Sequence, residues 1–189
     1  MRWITALLIW LLAWPALTQV QGVMLDEPLD LPPFAFTNTD LDEGRTLIMF
    51  GFLSCPDICP FTLGNLEAIV TETGMRVRPD NVPNVVVVSV GPERDAAFVS
   101  EYAKFFHPDF TSFTGTRDQI YALIEATDSF YRLMKPDHTG YYEVQHYSSV
   151  SVIAPDGTLR AKLQPPFDPA QIAEFLARLQ ISYRKELAQ

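Results

Sequence analysis

Apolar residues along this chain fall into short, dense blocks separated by Pro, Gly and Asp. Residues 46–52 (TLIMFGF) form a compact apolar run, too short for a helix, and read as a fully buried strand. Residues 84–90 carry four consecutive valines between Pro83 and Gly91, the strongest strand signal in the chain. Between these two runs, FTLGNLEAIVTET places Leu63, Leu66, Ile69 and Val70 at helical spacing, and Pro60 suits a first helical turn. Asp95 is read as the cap of a helix over AAFVSEYAKFF, which His107-Pro108 ends. Thr116 caps a further helix with Ile120, Leu123 and Ile124 turned inward. Residues 148–154 and 158–163 read as a hairpin around Pro155-Asp156-Gly157. Asp168-Pro169 opens a last helix through about residue 187, with Ile172, Phe175, Leu176 and Leu179 on one face.

The order is therefore strand, helix, strand, helix, helix, hairpin, helix. Alternation of strands with helices implies parallel pairs, and the late hairpin adds an antiparallel edge. The fold class expected is α/β: a thioredoxin-like mixed sheet flanked by helices, with a C-terminal β-hairpin and helix. No internal repeat or low-complexity tract interrupts it.

At 189 residues the chain can bury one good core. A net charge of −9 disfavours a phosphate-binding surface, so nucleic acid is not an expected partner. The first residues, MRWITALLIWLLAWPALTQVQG, follow a single Arg with an apolar run from Trp3 to Leu17. That suits a signal-peptide core or a membrane anchor, and residues 1–22 are read as one of the two. In either case the folded body is expected beyond the membrane, in a periplasmic or other extracytoplasmic compartment where disulfides persist. Residues 23–45, with Pro28, Pro32 and Pro33, are read as a tether and lead-in, and residues 46–189 as the folded domain.

Both cysteines of the chain lie in one stretch, GFLSCPDICPFTL, where the first strand hands over to the first helix. Open α/β sheets place their sites at such carboxyl edges. A thiol near a helix N-terminus meets the positive end of the dipole, which favours thiolate, the form that attacks disulfides and binds soft metals. Cys55 and Cys59 are one helical turn apart, close enough to bond to each other or to share an ion. A purely structural disulfide is the bland alternative, but closing so small a loop removes little unfolded-chain entropy. Two thiolates suit Cu(I) or Zn and need a third ligand. Of the three histidines, His107 reads as a helix-end residue and His138 as a solvated turn residue. His146, just before the SSVSVIA strand, is open to both a ligand role and an ordinary strand role.

These segments resemble the Sco/SenC/PrrC family of copper-binding, thioredoxin-like proteins from about residue 47 to residue 179. GFLSCPDICPFTLGNL is similar to that family's GF-x-x-CPD-x-CP-x-x-L, VSVGPERD to its VSVDPERD, and FHPDFTSFTG to a further family segment. In QHYSSVSVIAPDGTL, His146 stands the family's distance before the PDG turn. The resemblance implies that Cys55, Cys59 and His146 bind one copper ion, Cu(I) or Cu(II). It implies a role in building the CuA centre of cytochrome c oxidase, by copper transfer to the CuA-bearing subunit, by reducing its cysteines, or both. Another periplasmic copper or thiol protein is an alternative partner. A dedicated thiol–disulfide reductase, or a redox or copper sensor, would use the same Cys55–Cys59 pair as a reversible disulfide. The C-x-x-x-C spacing and the lack of a proline between Pro136 and Pro155 distinguish the chain from general thioredoxins. It departs from the family at Gly91 and Gln145, where aspartates are usual, and its 34–47 segment is shorter than the family's hairpin.

Overall fold

A computed structural model describes residues 22–31, 45–135, 138, 144–146 and 148–188. Residues 1–21 and 32–44, and with them the signal or anchor reading and most of the expected tether, lie outside it. Among the described residues no helix is long and apolar enough to cross a membrane.

The centre of the fold is β2 (Thr46–Gly51), all six of whose residues are buried. Such a strand has no solvent face, which is why its sequence runs apolar without alternation. It pairs in parallel with β3 (Asn84–Ser89) on one side, Thr46 opposite Asn84 and Gly51 opposite Ser89. On the other side it pairs antiparallel with β7 (Val150–Ile153), Met49 opposite Val150. The valines of β3 interlock with this strand, and β7 continues through a tight turn into β8 (Thr158–Leu163), the hairpin expected from the sequence. With β1 (Gly22–Asp30) and β4 (Thr111–Phe113) at its edges, the full sheet runs β1-β8-β7-β2-β3-β4, mixed as anticipated.

Its two edges were not legible in the sequence. Strand β1 (Gly22–Asp30) pairs antiparallel with β8 across an irregular register, so the beginning of the expected tether is part of the sheet. Pro28 is tolerated there because an edge strand has one unpaired side. The opposite edge is the three-residue β4 (Thr111–Phe113), parallel to β3.

The helix α1 (Ile58–Gly74) packs on α5 (Pro169–Leu187) and also contacts α3 (Val99–Phe106). Leu63, Leu66 and Ile69 of α1 and Ile172 and Leu176 of α5 are essentially inaccessible to solvent. At ~1.5–3 kcal/mol for each large side chain removed from water, this shared core is the main source of stability. The expected cap holds at Thr116, which closes a reciprocal capping box with Gln119 at the start of α4 (Arg117–Ala126), and α5 opens at Asp168-Pro169 as read, with the Asp168 side chain accepting from the Gln171 amide. At the amino end of β2 the buried guanidinium of Arg45 donates to the Leu176 carbonyl at 2.8 Å and ties strand to helix.

The helix expected over residues 96–106 is present but starts later, as α3 (Val99–Phe106), and a separate short helix α2 (Pro92–Asp95) precedes it. Asp95 is therefore not a cap: it is the last residue of α2, and its side chain is turned into the protein. A second, two-stranded sheet pairs β5 (Tyr131–Leu133) antiparallel with β6 (Val144–His146).

Candidate metal centre at the carboxyl edge of the sheet

Strand β2 delivers Gly51 to the carboxyl edge, where its carbonyl accepts from the Val90 amide at 2.9 Å, so the ends of β2 and β3 stay together. The chain then turns: the Cys55 amide donates to the Phe52 carbonyl at 3.2 Å, and α1 starts three residues later. This turn points the Cys55 sulfur at the first amides of α1, where it accepts from the Cys59 N–H at 3.3 Å. Both cysteines are present as thiols. The Cys55 sulfur thus lies against the turn of helix that carries Cys59, at the strand–helix junction.

Two expectations about these thiols are corrected. The edge position implies exposed side chains, yet Cys55 is 8% and Cys59 0% accessible. A helix N-terminus favours thiolate, yet burial pushes the Cys59 thiol well above its ordinary value, and the neighbouring Cys55 and Asp95 add to the rise. Desolvation of a charge outweighs the partial charges at one helix end. Burial likewise raises the Tyr102 hydroxyl on α3 to about 12, with the Cys59 and Cys55 sulfurs contributing.

Room for the Cys59 sulfur comes from Gly51: a Cβ there would sit 3.3 Å from Cys59 Sγ and 3.1 Å from Met49 Cε. The Arg94 guanidinium lies 5.9 Å from the centre of the Phe52 ring beside the loop. Gly91, one of the positions where an aspartate is usual in similar sequences, abuts the Asp95 carboxylate and Arg94.

The strand that carries the histidine is tied towards this edge through Tyr131. Tyr131 of β5 is paired with His146 of β6, and the Tyr131 hydroxyl donates to the Val90 carbonyl at 3.2 Å. Val90 in turn donates to Gly51, so a short chain of contacts links the His146 strand to the residue that opens the cysteine loop. The His146 imidazole lies outside the described part of the structure. Among the described residues no three His, Cys, Asp or Glu side chains form a metal-binding group. His107 ends α3, accepts from the Asp109 amide at 3.2 Å and stacks near Phe110, while His138 is exposed, as their sequence contexts indicate.

Sequence reasoning missed the roles of Tyr131 and Asp95. Nothing in FYRLM marks a tyrosine that bridges two sheets, and PERD reads equally well as a helix start.

A mixed sheet with a cysteine pair at the mouth of its first helix defines a thioredoxin-like protein. The SCO1/SenC family model matches residues 34–180, and the chain belongs to that family. A SCO2-like protein of Rickettsia felis is 35% identical over 143 residues, covering 75% of this chain and 68% of the relative. The mitochondrial SCO1 homologue of Homo sapiens is 31% identical over 173 residues, which are 86% of this chain and 56% of that protein. Among solved structures, Bradyrhizobium japonicum ScoI with copper bound superimposes with a TM-score of 0.65 at 26% identity, covering 80% of this chain and 97% of that one.

Proposed function

We propose that this protein is a copper carrier that takes up one copper ion through Cys55, Cys59 and His146 and assists assembly of the CuA site of cytochrome c oxidase. The observation that carries the reading is the contact between the Cys59 amide and the Cys55 sulfur, which sets two soft donors side by side where Gly51 leaves space for the Cys59 sulfur. Two thiolates and one imidazole match Cu(I) by softness. The tie from Tyr131 to Val90 supports His146, rather than His107 or His138, as the third donor. Membership of the SCO1/SenC family and the likeness to a copper-bound ScoI support copper as the cargo.

The burial of Cys59 shapes the chemistry. Without metal the site holds a neutral thiol, so copper uptake releases its proton, and loading is favoured by rising pH. A recipient's thiolates can then displace the ligands one at a time. The work is assigned to the extracytoplasmic side of a membrane, reached through the apolar segment 1–22. The recipient is the CuA-bearing oxidase subunit.

The adjacency of the two sulfurs also favours a second reading, reduction of a partner disulfide. In that exchange Cys55 and Cys59 lose two protons and two electrons and form one S–S bond, while the partner's S–S bond is reduced to two thiols. Anaerobic Cu(I) titration against a competing chelator tests the carrier. Cys55→Ser, Cys59→Ser and His146→Ala should each lose tight one-to-one binding, and unchanged binding in the histidine variant would remove it from the site. Reduction of an oxidised two-cysteine CuA-loop peptide by the metal-free protein tests the second reading.

A further inference from the structure

Asp95 is a buried carboxylate, 1% exposed, for which metal binding by Cys55, Cys59 and His146 has no use. One of its oxygens, Oδ2, accepts two hydrogen bonds: from the Leu53 amide at 3.1 Å and from the Ser89 hydroxyl at 2.8 Å. Ser89 Oγ in turn accepts from the Gly91 amide at 3.2 Å. Leu53 lies two residues before Cys55, inside the turn that the Cys55 amide closes on Phe52. A single carboxylate oxygen therefore joins the cysteine loop leaving β2 to the end of β3. Burying a carboxylate is unfavourable unless its oxygens accept hydrogen bonds, and here Oδ2 accepts one from the backbone of the cysteine loop and one from the Ser89 hydroxyl. Gly91 packs close to it: a Cβ there would sit 3.1 Å from Asp95 Oδ2 and 3.3 Å from Arg94 Nη2.

We propose that Asp95 is the positioning residue of the cysteine pair. It touches neither sulfur in this role. By holding the Leu53 N–H it fixes the turn that sets Cys55 against the Cys59 amide, and so keeps the two thiols in one geometry and shielded from solvent. Only the copper arm of the test rests on the carrier reading; the loop geometry is read in the metal-free protein.

The experiment uses the reduced, metal-free chain and three measurements: hydrogen exchange at the Leu53 amide by NMR, iodoacetamide labelling of each thiol followed by mass spectrometry, and Cu(I) competition with a chelator. In Asp95→Ala the Leu53 amide should exchange, and both thiols alkylate, at least about tenfold faster, with Cu(I) held about tenfold more weakly. Asp95→Asn retains an acceptor oxygen and should return all three to within about threefold of the parent. Val99→Ala, a core truncation on α3, controls for lost stability and should leave the Leu53 and thiol readouts near the parent's. If Asp95→Ala does not fold, Gly91→Val, which sets an apolar branched side chain against the carboxylate without removing it, should speed Leu53 exchange in a folded protein. Unchanged Leu53 protection and alkylation in folded Asp95→Ala, or in Gly91→Val where the alanine variant does not fold, overturns the proposal. Equal acceleration in Val99→Ala does so too. A parent that binds no Cu(I) while Leu53 and the thiols respond as stated defeats the carrier reading and leaves Asp95 in its role.

Discussion

Burial of Cys59 makes a quantitative demand on stability at alkaline pH. Its thiol ionises near 9.0 when unfolded and well above that when folded. The folded state therefore binds more protons than the unfolded state once pH approaches 9. Stability is complete below that pH and falls as pH rises towards the folded value. Between pH 9 and 10 the unfolded thiol goes from about one half to about nine tenths ionised while the folded thiol stays protonated, which integrates to a loss of about 1 kcal/mol. Two other groups act nearby: Tyr102, raised to about 12, adds a loss as pH approaches and passes 10, and Arg45, lowered to about 10 by burial, adds a gain over the same range. Both are present in Cys59→Ser, whose hydroxyl does not ionise, and because burial is the main cause of each shift they largely cancel in the difference between the two proteins. Urea unfolding of parent and variant, under reductant and chelator at pH 8, 9 and 10, isolates the thiol. The parent should lose about 1 kcal/mol relative to the variant from pH 9 to 10, and much less from pH 8 to 9. A stability difference that stays flat across the three pH values refutes the argument that burial controls this thiol.

Tyr131→Phe removes the hydroxyl that ties the His146 strand to Val90. It should cost about 1 kcal/mol and weaken Cu(I) binding roughly fivefold by chelator competition; unchanged affinity would separate the ribbon from the site. Gly51→Ala places a methyl group against Cys59 Sγ and Met49, and urea unfolding should show a loss of about 1–3 kcal/mol together with faster alkylation of Cys59. Thr116→Ala opens the capping box of α4, away from the cysteines, and should cost about 1 kcal/mol with no change in Cu(I) affinity.

The sequence by itself determined the centre of the sheet, because β2 and the valines of β3 have no solvent face and must be continuously apolar. It determined α1, α4, α5 and the β7–β8 hairpin, whose caps, prolines and turn residues are local signals. It also placed the two cysteines one turn apart at the junction of β2 and α1, which the structure reproduces. The edge strand β1 was not legible, because Pro and Asp tolerate an edge as well as a tether and only β8 decides between them. The accessibility and acidity of Cys59 depend on how much protein closes over the loop, a sum over α1, α3 and β2 that no local pattern carries. Asp95 and Tyr131 reach their partners across 42 and 41 residues of chain. Their roles exist only once the strands have paired, because a hydrogen bond is specified by distance in space and leaves no periodic trace in the sequence.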